Sequence, residues 1–328
     1  MKKGLVLVLA LAMVLSVVSI ASAATTTVGG QLRVWYLNTD NEKAASGSQE
    51  DDTFKFDRVA IDVKTAYDDG SSLFVQFQGR NINKSGGDSG DNVYFFVDQA
   101  FWTKPILDGG KLMIGAFDGQ VPFKNGYSNV IISGGLGDGL KIGNSVGVAY
   151  QYNQDLFGFG LAVVNAELGK AKNPVFGDNV DDQGYAWSTR FDYKPIDGLK
   201  AGIGYADLNE NDETRLVVDA SYKNLDVTPI SGMVEYAKVE EDNADDLDAY
   251  YVEVGYTFGK AVVYAGYGDG DIYGKKITSS QGTFKINDDN YTVAGLIYQV
   301  GDNAFLQGEY TRTDSDNDGF GLRLRVNF

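Results

Sequence analysis

Histidine and cysteine are both absent from the 328 residues. Without histidine there is no Ser–His or Cys–His nucleophile pair and no imidazole metal site. Without cysteine there is no disulfide framework. Proline is scarce, at 5 residues. Past residue 23 no apolar run approaches the roughly 18–20 residues that a membrane helix requires. Basic residues are outnumbered, 28 Lys and Arg against 45 Asp and Glu, for a net charge of −17. That balance argues against a nucleic-acid partner, because nucleic-acid binding depends on Lys and Arg neutralising phosphates.

The first 23 residues stand apart. Lys2 and Lys3 precede an almost wholly apolar stretch, Gly4 to Ile20, and Ala21-Ser22-Ala23 supplies a small-x-small exit. This is the pattern of a cleaved secretory signal peptide, so residues 24–328 are expected to form one exported domain. Loss of Lys2 and Lys3 takes the net charge from −17 to −19. At the other end, Phe320, Leu322, Leu324, Val326 and Phe328 share one parity, while Gly321, Arg323, Arg325 and Asn327 share the other. Strict two-residue alternation predicts a strand with one apolar and one polar face. A terminal Phe closing such a strand resembles the C-terminal signature of bacterial outer-membrane barrels. The resemblance implies the barrel-assembly machinery as a partner.

The same rhythm fills the chain between. Val28 to Leu37 alternates, a polar stretch Asn38 to Asp52 follows, and Phe54 to Tyr67 sets Val59, Ile61 and Val63 opposite Arg58, Asp62 and Lys64. Asp68-Asp69-Gly70-Ser71 has the residues of a tight hairpin turn. Leu73–Ile82, Val93–Thr103 and Lys111–Asp118 continue the series, and a long irregular connection, Gly119 to Gly139, comes next. Later short turns fall at Asn153–Asp155, Pro195–Gly198, near Asn224, at Gly259 and at Gly301-Asp302. Longer polar connections fall near Glu167–Asp182, Asn209–Asp212, Glu240–Asp246, Asp269–Asp289 and Asp314–Asp318.

Sixteen strands are predicted, an even number, with segment lengths that suit strands tilted across a bilayer. Strands that run towards short turns end on an aromatic of outward parity: Tyr67, Phe101, Tyr152, Tyr193, Tyr222, Phe258, Tyr298 and Phe328. Such a series reads as one interfacial girdle, where ring bodies meet lipid headgroups. The fold expected is all-β: a transmembrane, antiparallel, up-and-down barrel with lipid around it and water inside. A soluble propeller would show a repeat of about 40–50 residues, and none is present.

Two stretches carry a family resemblance. Phe56-Asp57-Arg58-Val59-Ala60-Ile61-Asp62-Val63-Lys64, leading to Leu73-Phe74-Val75-Gln76-Phe77, resembles the early hairpin of the phosphate-selective porin family and its relatives. Val97-Asp98-Gln99-Ala100-Phe101-Trp102, followed by Leu112 to Phe117 and by Val121-Pro122-Phe123, resembles that family's central hairpin and its Gly-x-Phe…Pro-Phe motif. The resemblance implies a sixteen-stranded, trimeric porin of the outer membrane of a Gram-negative bacterium. It would be a general or anion-selective channel whose third extracellular loop folds inward. The Lys common after Gly-x-Phe is Asp118 here, and Gly119–Gly139 holds one base, Lys124, against one acid, Asp138. A phosphate ladder needs several converging Lys or Arg side chains. The expected function is therefore passive diffusion of ions and small hydrophilic solutes. The alternatives are an anion- or phosphate-selective channel and a non-conducting structural barrel.

Parity alone assigns the lumen-facing charges. The bases are Arg33, Arg58, Lys64, Arg80, Arg190, Arg215, Arg323 and Arg325; the acids are Asp62, Asp98, Asp192, Asp219, Glu235, Glu253 and Glu309. A charge at the lipid midplane costs roughly 2–4 kcal/mol, so the inward position is the cheaper one. Asp118, Lys124, Tyr127 and Asp138 are the candidates for a constriction. Asp314-x-Asp316-x-Asp318-Gly319 imitates the start of a calcium loop, but its twelfth position is Arg325 and its flanks are strands, which rejects an EF-hand. Weak calcium binding by acidic loops such as Asp242–Asp248 stays open beside the simpler reading as solvated acids. Gly202-Ile203-Gly204 has no following helix or phosphate-loop Lys; these are strand glycines that let neighbouring aromatics pack. No cofactor is expected, nor any enzymatic activity, since parity yields no favoured carboxylate pair.

Overall fold

A computed structural model describes residues 24–40, 52–80, 94–118, 140, 144–166, 184–208, 213–242, 244–275, 290–313 and 318–328. The expected leader at 1–23 lies outside them, as do Lys124, Tyr127 and Asp138.

Sixteen strands account for nearly all described residues. In order they are β1 (Ala24–Asp40), β2 (Asp52–Tyr67), β3 (Ser72–Arg80), β4 (Tyr94–Pro105), β5 (Gly110–Asp118), β6 (Asn144–Asn153), β7 (Phe157–Ala166) and β8 (Gly184–Ile196). The second half is β9 (Leu199–Leu208), β10 (Glu213–Lys223), β11 (Ile230–Glu241), β12 (Leu247–Phe258), β13 (Ala261–Asp269), β14 (Asn290–Gly301), β15 (Ala304–Thr313) and β16 (Asp318–Asn327). One helical turn, α1 (Ile272–Lys275), follows β13. Each strand pairs antiparallel with its sequence neighbours, and β1 pairs with β16, from Gln31–Asn327 to Asp40–Asp318, so the sheet is a closed barrel. Closure removes both edges and satisfies every ladder, the condition for a sheet to sit in hydrocarbon. Phe328 completes the seam: its backbone exchanges hydrogen bonds of 2.8 and 3.1 Å with Gly30, and its ring lies over the space a Cβ of Gly30 would fill.

The two faces differ as the alternation requires. On β12 every second residue from Leu247 to Gly255 is buried, while Tyr250, Val252, Val254, Tyr256 and Phe258 are exposed. The outward set continues around the barrel through Val146, Val148, Phe159, Leu161, Phe191, Ile203, Val234, Leu296, Leu322 and Leu324. An apolar face this extensive requires a nonaqueous surrounding.

Two aromatic levels bound it. At the short-turn end lie Tyr193, Phe258, Tyr298 and Phe328; at the other end lie Tyr185, Tyr236, Tyr250, Tyr267, Tyr310 and Phe320, all exposed. In the second level the Tyr236 and Tyr250 hydroxyls donate to Asp248 and Asp269 at the rim, at 3.3 and 3.1 Å. The eight residue steps from Tyr250 to Phe258 span about 27 Å of strand, or about 21 Å of height at a tilt of about 40°, close to the roughly 25 Å apolar band of such barrels.

One expected girdle member is corrected. Phe101 faces inward, because Asp98 is an extra residue in β4: Gln76 pairs with Gln99, but Phe77 pairs with Val97. This β-bulge reverses the parity beyond it. Phe101 then packs on Phe74 at 5.1 Å and edge-on to buried Phe117 at 6.5 Å, and Trp102 takes the outward position.

Candidate functional site

The functional candidate is the inner wall. Its basic side is built from β16, β1 and β2. Arg33 is the direct cross-strand partner of both Arg325 and Arg58, so three arginines stand abreast on adjacent strands. Arg80 lies one position beyond the Val59–Gly79 pair, at the level of Arg58. Like charges directly opposite each other are unfavourable, and a water-filled interior is the setting that tolerates them. Arg58 donates to Gln78 at 2.6 Å and lies 3.6 Å from the Asp98 carboxylate. Arg323, two residues before Arg325 on β16, stacks over Trp35 with its guanidinium carbon 5.0 Å from the ring centroid, and donates to Gln307. Asp62 accepts from Gln76 at 2.6 Å, and Lys64 continues the inward parity towards the short turns.

The opposite wall carries the acids. β9 lies halfway round the ring from β1. Here Arg190 on β8 grips Asp219 on β10 in a bidentate pair of 2.7 and 2.9 Å and meets Asp192 at 2.7 Å; Lys200 reaches Asp192 at 3.2 Å. Gly202 lies between them, and a Cβ there would collide with the Arg190 guanidinium and the Asp192 carboxylate. The small residue makes room for a buried ion-pair cluster, not for the aromatic packing expected from the sequence. Aromatic packing does occur elsewhere: Gly266 accommodates Tyr251, and Gly295 accommodates Tyr264. The Tyr251 hydroxyl donates to Glu253 at 3.0 Å and the Tyr264 hydroxyl to Glu309 at 2.5 Å. Glu235 on β11 and Glu253 on β12 are buried on this side, whereas Glu309 is buried on β15, beside the strand that carries Arg323 and Arg325.

Arg215 on β10 ties the wall to a distant segment. It pairs with Glu213, and its Nη1 donates to the backbone carbonyl of Leu140. Leu140, 1% exposed, belongs to the connection between β5 and β6, four strands away from β10. Asp118, expected beside the pore, is the last residue of β5, one position past inward Phe117, which puts it on the outward parity at the rim. Among the described residues no group of three or more acid ligands is placed to hold a metal ion. Parity arithmetic could not find the three-arginine row, because abreast position depends on cross-strand register.

Comparisons with known proteins follow the same lines. A triple mutant of the porin from Rhodopseudomonas blastica matches with a TM-score of 0.60 at 15% identity, covering 93% of this chain and 100% of that one. A loop-deletion mutant of OmpT, an outer membrane protein of Vibrio cholerae, matches with a TM-score of 0.62 at 17% identity, covering 94% of this chain and 100% of that one. No curated protein sequence matches the chain significantly. The family profile described as Gram-negative porin matches residues 8–318, and the chain belongs to that family.

Proposed function

We propose that the chain is a passive diffusion pore of the Gram-negative outer membrane, admitting ions and small hydrophilic solutes through a water-filled lumen. The observation that carries this reading is the division of faces: apolar outside on strand after strand, charged and polar inside, in a closed ring. The β5–β6 connection folds inward and narrows the lumen. The buried position of Leu140 and its bond to Arg215 across the interior support this. The abreast arginines on one wall and the carboxylates of β10 to β12 on the other lay a transverse field across the passage, which orients dipolar solutes and sorts ions.

The protein reaches its membrane through a signal peptide at residues 1–23. It is inserted by the barrel-assembly machinery, which reads the strand ending in Phe328, and works as a homotrimer without cofactor or catalysis. The arginine row favours a second reading, anion preference, against the −17 charge of the chain.

Reversal potentials in a KCl gradient decide between them, with phosphate added afterwards. A general porin gives a small potential of either sign and no phosphate block; an anion channel gives a chloride-directed potential and block. In either case Arg33→Glu with Arg58→Glu shifts the reversal potential towards the cation value. An unchanged potential in a conducting variant refutes the assignment of this row to the passage.

A further inference from the structure

We propose that the start of the β13–β14 connection, Gly270 to Lys275, is a second size-setting element inside the mouth of the barrel, with Tyr273 fixing it to the wall. The inference rests on the porin reading above and adds a second segment of chain to the β5–β6 connection as a constriction. β13 ends at Asp269, and Gly270 takes a φ of +128°, with its backbone so close to β12 that a Cβ would collide with Asp248 and Ala249. Only glycine tolerates both demands. The chain then turns, with Tyr273 N–H donating to Gly270 C=O at 3.1 Å, and delivers Ile272 and Tyr273 to fully buried positions.

The surroundings of Tyr273 show on which side of the wall it lies. Its ring meets Tyr291 edge-on at 4.9 Å, and its hydroxyl donates to the Tyr250 carbonyl at 3.2 Å. A Cβ on Gly268 would occupy the place of that hydroxyl. Tyr291 pairs with Gly268, stacks on Tyr251 at 5.9 Å, and has the inward parity of buried Val293. Tyr273 is therefore inserted against the inner wall.

The wall at this level is rich in apolar side chains: Leu208, Val217, Val239, Leu247 and Ala249 face inward and are buried around the Arg215–Glu213 pair. Apolar side chains in a water-filled tube favour a cover. Leu140, Ile272 and Tyr273 belong to the same apolar cluster. The cover narrows the passage from the β8–β14 side and displaces it towards the arginine row.

The size of the effect follows from geometry. Sixteen strands about 4.8 Å apart and tilted about 40° give a backbone radius of about 16 Å, and side chains leave a lumen of about 11 Å radius, or about 380 Å². A helical turn about 10 Å across occupies about 80 Å² of that section, about a fifth. If this is a narrow point, unpinning it raises the conductance by about 1.25-fold.

The test compares the full chain with Ile272→Ser/Tyr273→Ser in planar bilayers, reading step conductance and the radius of the largest polyethylene glycol admitted. A rise of about 1.25-fold with a larger cut-off is expected. Unchanged values in a variant that retains the barrel's heat-modifiable gel mobility overturn the proposal. Because the chain has no cysteine, Tyr273→Cys and the exposed Asp271→Cys can each be labelled alone with a membrane-impermeant maleimide. Position 273 should react many-fold more slowly than 271; equal rates overturn the insertion. Slow labelling of the Tyr273→Cys variant, together with a folded wild-type barrel that shows no conductance, would refute the pore reading and keep the inward placement.

Discussion

Replacing Val254 by arginine tests which solvent the outer wall meets. Val254 is the eighth of the twelve residues of β12, points outward at 55% exposure, and has the inward Glu253 as its neighbour. It lies midway along the strand between Tyr250 and Phe258, in the middle of the apolar band. An arginine at the midplane of a lipid-facing strand costs about 2–4 kcal/mol, which is about a 30- to 900-fold change in the folding constant at 1.36 kcal/mol per decade. The same residue at the tip of the β14–β15 turn, Asn303→Arg, should cost about 0–1 kcal/mol, since it stands at the interface. The assay is equilibrium unfolding by guanidinium from phospholipid vesicles, with tryptophan fluorescence as the probe. A cost for Val254→Arg within about 0.5 kcal/mol, the range of a water-exposed surface substitution, would refute the lipid-facing assignment.

Other consequences concern the lumen and the turns. Arg190 and Asp219 have side chains 3% and 0% exposed, so Asp219→Ala removes the bidentate partner of a buried guanidinium and leaves it Asp192, and the expected loss is about 2–3 kcal/mol in the same unfolding assay. The apolar double replacement Arg190→Met/Asp219→Leu should recover most of it; equal losses in both variants would contradict the pairing argument. In the β2–β3 turn, Asp69 accepts from the Ser71 hydroxyl at 2.5 Å and from the Ser71 N–H at 2.9 Å, with Lys104 nearby at 3.7 Å. These bonds to Ser71, more than the charge of Lys104, hold its carboxyl below the ordinary 3.8. A depressed carboxylate contributes fully above its unfolded value and loses that contribution as pH falls through the folded one. The Ser71 amide should therefore keep its exchange protection at neutral pH and lose it below about pH 4, and Asp69→Asn should remove the pH dependence.

Much of the architecture was legible because a strand's period of two has no competitor here: apart from the β1–β16 seam every pairing neighbour lies next in sequence, so parity and turn residues agree. Strand ends were less legible. Ala24 to Thr27 shows no apolar alternation, yet it is strand because β2 runs on to Tyr67 and supplies the ladder. A bulge is invisible to parity, and the single extra residue Asp98 moved Phe101 inside and Trp102 outside. The β13–β14 connection read as a polar loop, although the adjacent Ile272 and Tyr273 were an available sign that part of it is buried. The charged inner wall was readable residue by residue; its arrangement was not. Register brings Arg33 between Arg325 and Arg58, and Gly202 opens the space for Arg190, two facts that depend on which strands lie side by side.

Single-channel recording of the purified protein in planar bilayers tests the central claim, a continuous aqueous passage through the sixteen-stranded barrel, most directly. The account predicts stable conductance steps whose size rises nearly in proportion to KCl concentration, as for water-filled pores. The absence of steps from protein that carries the barrel's heat-modifiable mobility would contradict it.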